Sequence, residues 1–229
     1  MNTYELVGYI FIFGAFLVTL IADILLRTRY RKYRRLAVAS QISGAEAART
    51  ILQENGLEDV YVIETKGYLT DHYDPSQKVI RLSSDIYHGQ TIAAVSVAAH
   101  ECGHALQDKE GYIWLRFRSF LIPLVNFGTR FGYISILIGL FFQAFNLAWI
   151  GVSLLIVILL FQLITLPVEI DASERGKRFL SKYKIITSKE KTGSTKMLAA
   201  AAMTYVAALL STIADVLRLV LVILNNERD

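Results

Sequence analysis

SFLIPLVNFGTRFGYISILIGLFFQAFNLAWIGVSLLIVILLFQLITLP, residues 119–167, is the stretch on which the fold turns. It is apolar throughout, and Arg130 is its only charge. At about 1.5 Å of rise per residue it can cross a hydrocarbon core of roughly 30 Å twice. The turn is expected around Gln143 to Asn146. A chain that crosses twice returns to the side it left, so whatever precedes residue 119 and whatever follows residue 167 share one face of a bilayer. Arg130 is read here as a side chain that snorkels to the interface.

Two further apolar blocks flank this hairpin. Residues 4–26, YELVGYIFIFGAFLVTLIADILL, are long enough for a span and carry only Glu5 and Asp23 as charges. The basic cluster follows this run, whereas a cleaved signal peptide has its basic residues first, so an uncleaved anchor is expected. Residues 198–224 contain Asp215 and Arg218 and read as a fourth span or as an amphipathic helix lying on the membrane. The chain is 54% hydrophobic, too apolar for an ordinary soluble domain. Three to four transmembrane helices are expected in a multi-pass membrane protein.

Six of the nine residues from Arg27 to Arg35 are Lys or Arg. Such a cluster could meet nucleic acid, but its place directly after an apolar run marks a cytoplasmic flank, and no nucleic-acid partner is expected. The segment after Pro167 is basic too, with Arg175, Lys177, Arg178, Lys182 and Lys184. Both segments therefore belong inside, as the hairpin between them requires. Residues 27–118 and 168–197 become the cytoplasmic part, the second of them as a helix. One cysteine excludes an intramolecular disulfide.

Within 27–118, Ser43-Gly44-Ala45-Glu46 has the spacing of a capping box and should start a helix that stops at Gly56. The runs 60–63, 68–73 and 79–82 read as strands of a small antiparallel sheet, with a turn at Asp74-Pro75-Ser76-Gln77. The strand at 78–83 is read as the edge on which an extended peptide would pair. An Ala-rich helix is expected over 91–107.

That helix carries His100-Glu101-Cys102-Gly103-His104. Residues i and i+4 sit about 40° apart on a helix, so both imidazoles can reach one ion. Two histidines supply two of the three protein ligands of a catalytic zinc site, and Glu101 is placed to act as general base. The third ligand is left open by the residues alone. His72, His88, Glu169 and Glu174 are available, and Asp171 lies about 200° around a helix from Glu169. His88 is read as structural, and Cys102 as facing away from the ion.

HECGH followed by VEIDASERG resembles the gluzincin zinc peptidases, in which a glutamate on a second helix completes the site. A membrane hairpin between the two motifs is similar to the heat-shock membrane proteases and the CAAX-prenyl endopeptidases. There an Asp follows the Glu ligand by four residues; Ser173 stands at that position here. The blocks LTDHYDPSQKVIRLS (69–83), AAVSVAAHECGHALQ (93–107), LPVEIDASERG (166–176) and AAMTYVAALL (201–210) resemble, in that order, the bacterial membrane family of neutral zinc metallopeptidases of YugP type. The resemblance implies one Zn²⁺ per chain held by His100, His104 and Glu169 and a small α+β zincin-like cytoplasmic domain. It also implies a membrane-bound protease. The function expected is that of an endopeptidase acting on proteins or peptides near the bilayer. Asp171, Arg175, Tyr205 and His72 are the residues expected to support the ligands or an oxyanion. A regulatory membrane partner is allowed but not identified. Two rival readings are a catalytically inactive zinc-binding scaffold and an intramembrane-cleaving protease. Asp108, Lys109 and Glu110 follow the motif helix closely and count against the second.

Overall fold

The computed structural model describes residues 3–227, with side chains from Leu6 onward. Seven helices and three strands follow one another: α1 (Thr3–Tyr33), α2 (Gly44–Glu54), β1 (Tyr61–Thr65), β2 (His72–Asp74), β3 (Val79–Ser83), α3 (Ser84–Tyr87), α4 (Ile92–Lys109), α5 (Ile113–Phe141), α6 (Phe145–Lys182) and α7 (Ser188–Asn226). The chain divides into two units. One comprises residues 1–23, 116–166 and 203–229, and the other residues 24–115 and 167–202.

Among the described residues the first unit is built from segments of α1, α5, α6 and α7 with the short turn between α5 and α6. All four of these helices are long and apolar enough to cross a membrane. Their outward faces carry large apolar side chains, among them Ile10, Phe13, Phe16, Phe120, Leu137 and Phe141. Exposed apolar surface of that extent marks a lipid-facing protein, and this is a membrane protein.

Its α5–α6 hairpin is closed by small residues. A Cβ on Gly139 would lie 2.5 Å from the Ala148 nitrogen, and one on Gly151 2.5 Å from the Gly132 oxygen. Close backbone approach through glycine substitutes for the hydrophobic drive that lipid removes. The connection is shorter than expected: only residues 142–144 are non-helical, with Gln143 in the left-handed region (φ 55°) and the Ala144 N–H donating to the Gly139 carbonyl at 2.8 Å. Residues 198–224 lie within the single long helix α7.

The second unit packs α2, α3 and α4 on a three-stranded sheet of order β1-β3-β2. Ser43 caps α2 as its spacing requires: its Oγ accepts from the Glu46 N–H, and the Glu46 carboxylate accepts from the Ser43 N–H at 2.7 Å. The sheet is mixed, which corrects the antiparallel expectation. β2 and β3 form the antiparallel hairpin, but β1 runs parallel to β3 (Tyr61↔Val79 to Thr65↔Ser83). β3 is therefore central, with a partner on each side, and cannot be the edge that accepts a peptide. The free edges belong to β1 and β2. Local strand patterns carry no information on which partner a strand chooses, hence the miss.

The segment 168–197 is likewise not one helix. α6 continues unbroken through Pro167 to Lys182, and the chain then turns, with Lys184 at φ 55°, before α7 begins at Ser188. Apolarity delimits where lipid ends and not where a helix ends. For the same reason α1 runs on beyond residue 26 to Tyr33.

Candidate metal centre

The centre lies entirely within the second unit, where α4 crosses the stretch of α6 that follows Pro167. α4 starts at Thr91, whose side chain accepts from the Ala94 N–H. Its Ala-rich sequence presents almost no side-chain bulk: Ala93, Ala94, Ala98, Ala99 and Ala105 are fully buried. Contact with α6 is backbone to backbone. A Cβ on Gly103 would lie 2.4 Å from the Ala172 oxygen, and one on Gly176 3.0 Å from the Ala99 carbonyl carbon. Only glycine allows two helices to approach so closely. One turn from Ala172 along α6 is Glu169, and the crossing delivers it to the two histidines.

His100 and His104 stack edge to face, with ring centroids 4.7 Å apart. The Glu169 Oε2 lies 3.3 Å from the His100 Nε2 and 3.6 Å from the His104 Nε2. One ligand atom from each of the three falls within 4.8 Å of the others. Glu169 is 2% exposed and His104 8%.

The far sides of both rings are held as well. His104 Nδ1 meets Gln107 Oε1 at 3.0 Å. The Gln107 amide nitrogen donates to the Val168 carbonyl and to the Asp171 carboxylate, both at 2.8 Å. Those two groups only accept, so the amide oxygen is the atom that faces His104, and Nδ1 carries the proton. The Nε2 lone pair is then directed at Glu169. His100 Nδ1 has the Ser173 Oγ at 3.1 Å, which a hydroxyl can accept in the same way.

Two imidazole lone pairs and a carboxylate thus converge inside the protein, an arrangement that repels itself unless a cation is shared. Zinc with arms of about 2.0–2.1 Å at tetrahedral angles would separate its ligand atoms by roughly 3.3–3.4 Å, close to the two distances found. The donor set fits the ion.

Glu101 is buried beside this cluster at 7% exposure. Burial pushes its carboxyl up to about 7, and the negative charges of Glu169 and Asp71 add to this. The backbone of Tyr73 lies beside the same carboxylate, so β2 runs alongside the base.

The other residues singled out in the sequence fall as follows. The Asp171 carboxylate accepts from the Gln107 amide and from the Arg175 Nε. Arg175 spends a second nitrogen on Glu110 at 2.7 Å and lies over the Tyr112 ring. Its guanidinium is committed to ion pairs. His72 is exposed on β2, with Nδ1 2.8 Å from the Thr70 carbonyl oxygen, and is not in the cluster. His88 pairs with Glu64, and Glu174 is an exposed partner of Lys177. Tyr205 lies on α7 in the first unit. Cys102 is buried, with its Sγ donating toward the Ala48 carbonyl, and burial holds its thiol well above the usual range. Gln107 was not anticipated. Its only sequence signal is its place three residues after His104, on the same helix face.

A family model described as "Putative neutral zinc metallopeptidase" matches residues 8–224. The protein named "Putative membrane protease YugP" of Bacillus subtilis (strain 168) is 43% identical over 208 residues, covering 91% of this chain and 92% of that one. No solved structure matches the chain. The matched region takes in both helices that build the centre, and on that extent of similarity the chain belongs to the neutral zinc metallopeptidase family.

Proposed function

We propose that this protein is an integral-membrane zinc endopeptidase of gluzincin type, with His100, His104 and Glu169 holding one Zn²⁺ and Glu101 as general base. The observation that carries the reading is the convergence of His100 Nε2, His104 Nε2 and Glu169 Oε2, with each Nδ1 engaged behind its ring. Bound zinc supplies Lewis acidity, acidifying water and polarising a peptide carbonyl.

The chain's own groups do the rest. Gln107 and Ser173 hold the imidazoles as Nδ1–H tautomers, so that Nε2 is the coordinating atom. The Glu101 carboxylate takes a proton from the attacking water and passes it to the nitrogen of the leaving amine.

The centre is proposed to face the cytoplasm of a bacterial plasma membrane, on the zincin-like part formed by residues 27–118 and 168–197. The basic residues 27–35 and 175–184 support that sidedness. The substrates would be proteins or peptides near the bilayer surface. The test is cleavage of casein by the purified protein beside Glu101→Gln. Zinc content should be equal in the two, with cleavage lost only in the variant; equal cleavage by both would remove Glu101 from the mechanism.

A further inference from the structure

Arg130 stands at the middle of α5. It lies seventeen residues after Ile113 and eleven before Phe141, the first and last residues of α5. At about 1.5 Å per residue, that places it roughly 26 Å from one end and about 16 Å from the other. Both distances exceed the reach of a snorkelling side chain, so Arg130 does not bring its guanidinium to either end of the helix. The side chain is exposed on the outside of the first unit. It points away from the face that packs on α6 through Gly128, Gly132 and Gly139.

Arg130 is not alone on that face. Asn126, Thr129, Arg130 and Tyr133 recur at i, i+3, i+4 and i+7, which is one continuous helical stripe. Asn126, Thr129 and Tyr133 are exposed as well. Thr129 turns its hydroxyl to the Val125 carbonyl, and Tyr133 donates to Asp215 on α7 at 3.3 Å. The stripe lies among exposed Phe127, Phe131 and Leu137, which are at home in lipid. A guanidinium facing hydrocarbon at mid-depth costs several kcal/mol, and such residues pair with another group.

A second copy of this chain is a poor partner. Two-fold pairing about an axis normal to the membrane would set Arg130 against Arg130 at the same depth, and like charges there repel.

We infer that the Asn126–Thr129–Arg130–Tyr133 stripe of α5 is a docking face for a transmembrane helix of another protein that carries a carboxylate near the bilayer centre. Charge complementarity at Arg130 selects the partner, and Asn126 adds a hydrogen-bonding side chain one turn away. Exposed Phe127 and Phe131, whose rings meet along one flank of the stripe, supply the apolar contact. The inference stands apart from the zinc reading, since none of these residues belongs to the metal centre.

The test is association in neutral phosphatidylcholine vesicles between the full-length protein and synthetic poly-leucine transmembrane peptides with flanking lysines. The peptides carry Asp, Leu or Lys at the central position. A donor dye on Ala144→Cys, in the exposed α5–α6 turn, reports energy transfer to a labelled peptide; the buried native Cys102 stays unlabelled. The Asp peptide should associate on the order of tenfold more tightly than the Leu peptide. Arg130→Leu should abolish that preference, and Arg130→Glu should transfer it to the Lys peptide. Rescue by charge exchange separates a recognition role from a folding defect. Equal association of the Asp and Leu peptides with the wild type would overturn the proposal, as would a preference that survives Arg130→Leu.

Discussion

His104 Nδ1 and Gln107 Oε1 lie 3.0 Å apart, and the direction of that hydrogen bond is fixed from the far end of the amide. Because Val168 O and Asp171 accept from the Gln107 nitrogen, the amide cannot flip without setting its oxygen against two acceptors. A neutral side chain therefore takes the place that a carboxylate holds in many zinc sites and sets the histidine tautomer as firmly.

Replacing Gln107 with Leu should lower zinc affinity about 10- to 100-fold, in line with other losses of a group behind a metal-bound histidine. Gln107→Glu tests the directionality. It keeps an acceptor for His104 but turns an oxygen toward Val168 O and Asp171, and should also weaken binding. Competitive zinc titration against a chromophoric chelator measures both. Wild-type affinity in Gln107→Leu would remove the residue from the account.

Ser173 occupies the position where related zinc peptidases are expected to carry Asp. Ser173→Ala should cost about tenfold in zinc affinity by leaving His100 Nδ1–H without its acceptor. Ser173→Asp should restore affinity, since a carboxylate accepts the same proton with more strength. The same titration reads both variants.

The crossing of α4 and α6 depends on Gly103. A methyl group there meets the Ala172 oxygen at 2.4 Å, and backbone cannot yield as a side-chain tip can. Gly103→Ala should destabilise the protein by about 1–3 kcal/mol. It should also weaken zinc binding by moving Glu169 away from the histidines. Thermal unfolding in detergent, with and without added zinc, gives the two effects separately: the stabilisation by zinc should shrink as well as the base stability.

The capping box of α2 lies away from the metal centre. Ser43→Ala should cost about 1 kcal/mol of stability and leave zinc affinity unchanged. A lower melting temperature with an unaltered titration curve is the expected result.

Much of the centre was legible because its ligands obey local rules. The i, i+4 spacing of His100 and His104 and the capping box at Ser43 act over a few residues and took the form expected, and the apolar run at 119–167 falls on two long helices. Glu169 came from resemblance, since nothing near it in the chain distinguishes it from Glu174. What stayed hidden depends on partners distant in sequence. The parallel pairing of β1 with β3 and the reach of Gln107 to Val168 and Asp171 are set by tertiary contact. So is the place of Arg130, whose exposure at mid-helix shows only once the glycine face of α5 is seen packed on α6.

The most direct test of the central claim is the metal stoichiometry of the purified protein beside Glu169→Ala, by elemental mass spectrometry after dialysis. The account predicts one zinc per wild-type chain and essentially none in Glu169→Ala. A wild type that holds no zinc, or a Glu169→Ala variant that keeps it, would contradict the assignment of His100, His104 and Glu169 as the metal centre.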